Sequence, residues 1–163
     1  MRSDDDRTQS FASIAVDTVI GHYRIVEKIG SGGMGDVYRA QDELLDRTVA
    51  IKFLSAYRYG DEDNRRRFLR EARTAARLRH QNIVLTLDVG EFEDAPYIVF
   101  EYLEPRTLRQ RMSESPLAID EILKISIGLV DALGAAHLRG VIHRDIKPTN
   151  ILLDSGGEPK LVD

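Results

Sequence analysis

Alternating apolar and polar positions predict a series of β-strands before residue 103. One strand covers residues 23–29, a second follows the glycines at 30–35, and two more cover residues 83–89 and 97–102. Another covers 48–54, where a period of two separates Val49, Ile51 and Phe53 on one face from Ala50, Lys52 and Leu54 on the other. The pattern predicts a sheet built from neighbouring strands.

Helical spacing of apolar residues appears in three stretches. A helix is predicted over residues 61–79, a short one over 107–112 and a long one over 117–139, which Gly140 ends. The apolar face of the long helix is broad and consists of Ile119, Ile122, Leu123, Ile125, Leu129, Val130, Leu133 and Ala136, with Ser126 among them. A face of this width is usually covered by other helices on more than one side.

Composition excludes several classes of protein. With 163 residues, 42% of them hydrophobic, the chain is long enough to bury a core, and its net charge of −4 provides no basic field for nucleic acid. Without cysteine there is no disulfide framework and no thiol chemistry. No apolar run approaches the ~18 residues that cross a membrane, and the N-terminus lacks the apolar core of a signal peptide. We therefore expect a cytoplasmic protein whose residues 1–20 form a disordered leader.

A glycine-rich segment follows the first strand and indicates a phosphate-binding loop. It reads Gly30-Ser31-Gly32-Gly33-Met34-Gly35, and four glycines in six positions cost enough chain entropy to need a reason, such as a backbone close to phosphate. Dinucleotide-binding folds share the spacing, but they require a helix directly after the glycines. Residues 36–40 have no helical apolar stripe, so the hairpin pattern that ends at Val37 fits better.

Lys52 and Glu71 are predicted to form an ion pair between strand and helix. Glu71 lies on the packed face of the helix over 61–79, where an unpaired carboxylate would be costly. A local contact with Arg67 is worth only a few tenths of a kcal/mol. By itself Lys52 could equally be an edge-strand lysine that discourages aggregation. Its separation in sequence from the glycine loop instead favours a cation that binds nucleotide phosphates.

The most informative stretch is His143-Arg144-Asp145-Ile146-Lys147-Pro148-Thr149-Asn150. It lies between the apolar runs 141–142 and 151–153, which predicts a rigid polar loop held between two buried β-segments. A polar turn in which Asp145 and Asn150 bond only their own backbone is the simpler alternative. The pattern H-R-D-x-x-x-x-N is typical of the catalytic loop of protein kinases.

These motifs, in this order and at these spacings, resemble the eukaryotic-like serine/threonine protein kinases of bacteria. The resemblance runs from Tyr23 to the last residue, and Lys147, two residues after Asp145, is typical of the serine/threonine-directed enzymes. It implies an α+β, protein-kinase-like fold. Residues 21–102 would form a five-stranded antiparallel N-lobe with one helix, and residues 103–163 the hinge and an incomplete, mainly α-helical C-lobe.

The resemblance also implies the role of each residue in binding ATP and Mg²⁺. Lys52 would hold the phosphates with Glu71 behind it, Asp145 would be the catalytic base and Lys147 would steady the γ-phosphate. Asn150 and Asp163 would coordinate magnesium. The remaining nucleotide contacts would come from Gly30, Ser31, Gly32, Gly33, Gly35 and Val37 of the glycine loop and from Ala50, Phe100, Glu101 and Leu103 around the adenine.

The chain departs from the family pattern after Asp163. The Phe-Gly of D-F-G, the activation segment and the A-P-E element do not follow, so we expect an incomplete catalytic domain. A protein kinase acting on Ser or Thr of a protein substrate is the first hypothesis, and a non-catalytic nucleotide-binding or interaction module is the alternative. A small-molecule phosphotransferase is disfavoured by Lys147 and the complete glycine loop.

Overall fold

The structure is a computed structural model that describes residues 14–32, 35–54, 62–104 and 106–162. The first unit, here the sheet unit, contains β1 (Val19–Ile20), β2 (Tyr23–Gly32), β3 (Gly35–Asp42), β4 (Arg47–Leu54), α1 (Glu62–Ala75), β5 (Thr86–Phe92) and β6 (Ala95–Glu101). The second, the helical unit, contains α2 (Leu108–Glu114), α3 (Ile119–His137), a 3₁₀ turn (Pro148–Asn150), β7 (Ile151–Leu153) and β8 (Pro159–Leu161).

The sheet unit is a six-stranded antiparallel sheet in the order β1-β2-β3-β4-β6-β5. Its core forms on one face of the strands because β-branched and aromatic residues recur there at every second position. Val49 and Ile51 are fully buried and Phe53 is 5% exposed, which confirms the predicted face of β4. The other members of this core are Ile20, Tyr23, Ile25, Tyr38, Ala40, Ala95, Tyr97 and Val99.

Two predictions about the start of the chain are wrong. Strand β1 makes a sixth strand where five were predicted, with Ile20 opposite Tyr23 across a turn in which Gly21 has a φ of 63°. The predicted leader over residues 1–20 does not hold for residues 14–20, since Ile20 is 1% exposed and the Ile14 N–H donates to the Tyr38 hydroxyl at 3.1 Å. Burial of Ile20 against the sheet decides this, and the apolar residues before it show no strand pattern.

The helices predicted over residues 61–79 and 107–112 are present with shifted ends. Helix α1 ends at Ala75, and Leu78 just beyond it is buried. Helix α2 begins after Thr107, whose hydroxyl accepts from the Gln110 N–H at 3.1 Å while the Gln110 side chain accepts from the Thr107 N–H at 2.8 Å. This reciprocal capping box fixes the start of α2.

Helix α3 packs against the β7–β8 hairpin. The small core there consists of Leu108, Ile125, Ile151, Leu153 and Leu161. Gly128 allows a close approach, because a Cβ at that position would lie 2.8 Å from Pro159 Cγ and 2.9 Å from Asn82 Nδ2. Much of the predicted apolar face is exposed, including Ile119, Leu123 and Val130. No helix in the described ranges is long and apolar enough to span a membrane.

The segment 141–142 is not a strand, contrary to prediction. Gly140 ends the helix with a φ of 74°, and the Val141 N–H then donates to the Ala136 carbonyl at 3.0 Å. Ile142 is 64% exposed. Two apolar residues form a strand only if a neighbouring strand pairs with them, and the described part of the chain provides none beside this segment.

Candidate active site

Four strands of the sheet unit align the residues predicted to meet the nucleotide phosphates. Gly30 of β2 lies opposite Val37 of β3, Val37 lies opposite Lys52 of β4, and Lys52 lies opposite Ile98 of β6. Residues directly opposite each other in antiparallel pairs share a face of the sheet. The glycine strand, the valine and the lysine therefore form one row, and the Lys52 side chain is only 8% exposed.

The glycine-rich segment forms a hairpin, as its sequence predicts. Gly32 pairs with Gly35, whose φ of 139° favours glycine, and the tip residues 33 and 34 lie outside the described ranges. An ion pair of 2.8 Å between Lys28 Nζ and Asp36 Oδ1 connects the two strands of the hairpin. The side chain of Ser31 is exposed. Gly30 therefore places backbone rather than a bulky side chain in the Lys52 row.

The predicted adenine contacts come together where β6 ends. Ala50 lies opposite Phe100, and the Glu101 N–H donates to the Leu85 carbonyl at 2.9 Å. Leu103, two residues on, is half-buried, and its backbone has no hydrogen-bond partner among the described residues. An unpaired backbone segment beside an apolar strand is suited to hydrogen bonds with a base edge.

In the helical unit, Asp145 is the centre of a side-chain network. Its Oδ2 accepts from Lys147 Nζ at 2.7 Å and from Asn150 Nδ2 at 2.9 Å, and Asn150 Nδ2 also lies 2.9 Å from the Asp145 carbonyl oxygen. The preceding residue, Arg144, has a φ of 65°, a conformation that costs about 1 kcal/mol or more outside glycine. The alternative of a turn bonded only to its own backbone therefore fails for Asp145.

This network also sets the charge of Asp145. The hydrogen bond from Lys147 lowers the pKa of the Asp145 carboxyl; partial desolvation opposes it, and the bond from Asn150 adds to the lowering. The carboxylate is ionised at neutral pH, as an aspartate ordinarily is, and its half-exposed side chain is accessible to a substrate hydroxyl.

His143 connects the loop to the strand that leads to Asp163. Its Nε2 lies 3.0 Å from the Val162 carbonyl oxygen, and its Nδ1 lies 3.3 Å from the Asp145 backbone N–H. A carbonyl can only accept, so Nε2 carries the proton and Nδ1 is the acceptor, which a single neutral tautomer satisfies. The Val162 N–H donates to the Asn150 carbonyl at 3.0 Å, so Val162 is bound on both sides.

Asn150 fits one position of a magnesium site. Its amide nitrogen donates to Asp145, its residue is buried to 9% exposure, and within the described chain no donor binds its side-chain oxygen. An amide oxygen is a suitable ligand for a hard cation such as Mg²⁺. The described residues contain no group of three or more histidines and carboxylates that would form a different metal centre.

Three predicted residues cannot be placed. Gly33 and Asp163 lie outside the described residues, and the Glu71 side chain does too, although its backbone is part of α1. Lys160, which binds the side chain of Glu101, was not predicted from the sequence as a site residue. Its only signal was a charged residue in the short apolar strand that precedes Asp163.

Comparison with known proteins identifies the class. The profile of the protein kinase domain matches residues 23–163, so this chain belongs to the protein kinase family. The resemblance and the α+β, protein-kinase-like fold class are thereby confirmed, with six strands in the sheet where five were predicted.

Among individual proteins, the chain is similar to bacterial serine/threonine kinases. It is 46% identical over 143 residues to the probable serine/threonine-protein kinase PknB of Lactococcus lactis, covering 86% of this chain and 23% of that one. It is 46% identical over 146 residues to serine/threonine-protein kinase PrkC of Bacillus subtilis, covering 89% and 22%. The solved kinase domain of Mycobacterium tuberculosis PknI matches with a TM-score of 0.82 and 35% identity over 93% of this chain and 62% of that one. The chain thus spans less than a quarter of the length of PknB and of PrkC.

Proposed function

We propose that this chain is the nucleotide-binding and catalytic-loop part of a protein serine/threonine kinase that transfers the γ-phosphate of ATP to a Ser or Thr hydroxyl. The observation that carries the proposal is the ionised Asp145 carboxylate, held by Lys147 at 2.7 Å and by Asn150 at 2.9 Å. A carboxylate fixed beside a lysine and an amide oxygen matches the requirements of phosphoryl transfer, in which positioning and charge supply most of the catalysis.

Each residue has a distinct task in this proposal. Asp145 orients the substrate hydroxyl and accepts its proton, while Lys147, released from Asp145 when a substrate enters, neutralises the γ-phosphate. Lys52 holds the α- and β-phosphates below the glycine hairpin. When bound at Asn150 and Asp163, Mg²⁺ would neutralise phosphate charge. The backbone of residues 101–103 would bind the adenine.

The test is phosphate transfer to a Ser/Thr peptide by the chain extended with the remaining kinase domain of a bacterial relative. Asp145→Asn should lower turnover about 10²- to 10⁴-fold, because it removes the general base. ATP affinity should be nearly unchanged, since this carboxylate acts on the hydroxyl. Near-normal turnover of the Asp145→Asn protein would exclude Asp145 as the base.

A nucleotide-binding or interaction module without transferase activity is the second candidate. The exposed apolar face of α3 favours it for the chain taken alone, with Ile127 68% and Val130 71% exposed. Saturable ATP binding, combined with no transfer above the Asp145→Asn background even in the extended protein, would support this candidate.

A further inference from the structure

An ion pair joins the sheet unit to the helical unit on the two strands that lead to the proposed nucleotide and metal contacts. Lys160 Nζ of β8 lies 3.0 Å from Glu101 Oε1 at the end of β6, although the two residues are 59 positions apart in sequence. Their side chains are 18% and 29% exposed. Partial burial weakens solvent screening and makes this pair stronger than a surface pair.

The Glu101 carboxylate is held from a second direction. The same Oε1 accepts from the Leu85 N–H at 3.0 Å, and the Glu101 N–H donates back to the Leu85 carbonyl at 2.9 Å. The bond from the Leu85 N–H holds the carboxylate in an orientation that faces Lys160. A charge held in advance loses little entropy when it forms the ion pair.

Backbone bonds continue the connection along β8. Leu161 donates from its N–H to the Asn82 carbonyl at 2.8 Å and accepts from the Val84 N–H at 3.0 Å. The Asn82 side chain donates to the Pro159 carbonyl at 2.8 Å. Residues 82–84 thus lie beside β8 and add a third segment to the β7–β8 hairpin. The Lys160–Glu101 pair extends this contact from β8 to the hinge.

Each partner precedes one of the proposed ligands closely in sequence. Leu103 follows Glu101 by two residues, and Asp163 follows Lys160 by three. Val162, between Lys160 and Asp163, is bound by Asn150 and His143. A shift of β8 relative to the hinge would therefore change the distance between the adenine contacts and the magnesium ligands.

We propose that Lys160 and Glu101 act as positioning residues that set the separation between the adenine-binding hinge and the proposed Mg²⁺ ligand Asn150, which Val162 binds at the end of β8. The inference rests on the proposed function, because it presumes that ATP and Mg²⁺ bind at these places. Neither side chain touches the nucleotide. Their role is to make the magnesium ligands and the hinge available to one ATP molecule at the same time.

The experiment measures the dissociation constant of ADP for the chain with saturating Mg²⁺ and with a chelator. The ratio of the two constants is the magnesium enhancement. Lys160→Met and Glu101→Gln should each weaken ADP binding in Mg²⁺ about 3- to 10-fold and change it little in chelator. The double variant should bind ADP in Mg²⁺ no more weakly than the single variant with the lower affinity. Lys160→Arg should keep the magnesium enhancement.

Lys124→Met is the matched control. Lys124 Nζ pairs with Glu158 Oε1 at 2.8 Å on the same hairpin, but both residues belong to the helical unit, so no connection between units is lost. This variant should bind ADP like the unmodified chain. Thermal unfolding of all variants separates lost positioning from lost folding, and Glu101→Gln removes the pair from the other side if Lys160→Met folds poorly.

The outcomes separate failure of the positioning role from failure of the proposed function. Equal magnesium enhancement in Lys160→Met, Glu101→Gln and the unmodified chain would overturn the positioning role and leave the proposed function in place. An equal loss in Lys124→Met would overturn it as well, because any missing lysine would then suffice. Failure of the unmodified chain to bind ADP under either condition would overturn the proposed function and this inference together.

Discussion

The sheet unit and the helical unit bury their apolar residues to very different degrees. In the sheet, Val49, Ile51 and Val99 are fully enclosed. On α3, Ile119 is 75% and Val130 is 71% exposed, and Leu138 just after the helix is 89% exposed. Both regions show clear apolar periodicity. The period of a pattern thus predicts which face is apolar, and whether that face is covered depends on what packs against it.

The difference has an energetic consequence. Burial of a large aliphatic side chain contributes about 1.5–3 kcal/mol, so the sheet core holds most of the stability of the described fold. The β7–β8 hairpin covers one side of α3, where Ile125 is 4% exposed, and leaves its other side open. Contiguous exposed apolar surface promotes association. We expect the sheet unit to resist unfolding and the helical unit to govern how the chain behaves in solution.

Shortening one isoleucine in each unit tests this difference in burial. Ile51→Ala should lower the free energy of unfolding by about 2–5 kcal/mol because it opens a cavity in a closed core. Ile127→Ala, on the open face of α3, should change it by less than about 0.5 kcal/mol, since that residue is 68% exposed. Denaturant titration of both proteins measures this, and similar losses would show that α3 is covered in solution.

The sequence predicted the sheet unit well because the spacings that define its strands lie within short stretches of the chain. The period of two in β4 and the fixed offsets from Gly30 to Val37 and Lys52 determine which residues share a face. The loop from His143 to Asn150 was predicted as a catalytic site, and the structure adds the bonds from Lys147 and Asn150 to Asp145.

Contacts between distant segments could not be predicted in the same way. The Lys160–Glu101 pair and the bond between His143 and Val162 depend on how the two units meet, which no periodicity encodes. The strand at Val19–Ile20 and the absent strand at 141–142 share this cause. A two-residue strand exists only where a partner strand is placed beside it.

A second test concerns the connection of the sheet to α1. Lys52→Ala and Glu71→Ala should weaken ATP binding through one shared contact, so their effects should be non-additive by about 0.5–3 kcal/mol. Calorimetric titration of the two single variants and the double variant gives the coupling energy. Strictly additive losses would exclude the predicted pair and leave Lys52 as an independent phosphate ligand.

The smallest expected effect concerns the charge of Asp145 in the helical unit. Because Lys147 lowers the pKa of Asp145, Lys147→Met should raise that pKa towards its ordinary value. A lowered pKa in the folded state stabilises the fold above the pKa of the unfolded chain, and this contribution is lost as the pH falls through the folded value. Carboxyl NMR titration of the two proteins measures the shift. Identical titration curves would contradict the role of Lys147.

Calorimetric titration of the chain with Mg²⁺-ATP tests whether the sheet unit is a nucleotide site. Saturable binding at one site is expected. The affinity should fall about tenfold or more in Lys52→Met, because that variant removes the buried cation from the row shared by Gly30 and Val37. Lys124→Met provides the comparison for loss of a surface lysine and should bind normally. Absence of binding, or equal affinity in the unmodified chain and Lys52→Met, would contradict the assignment of the sheet unit as a nucleotide site.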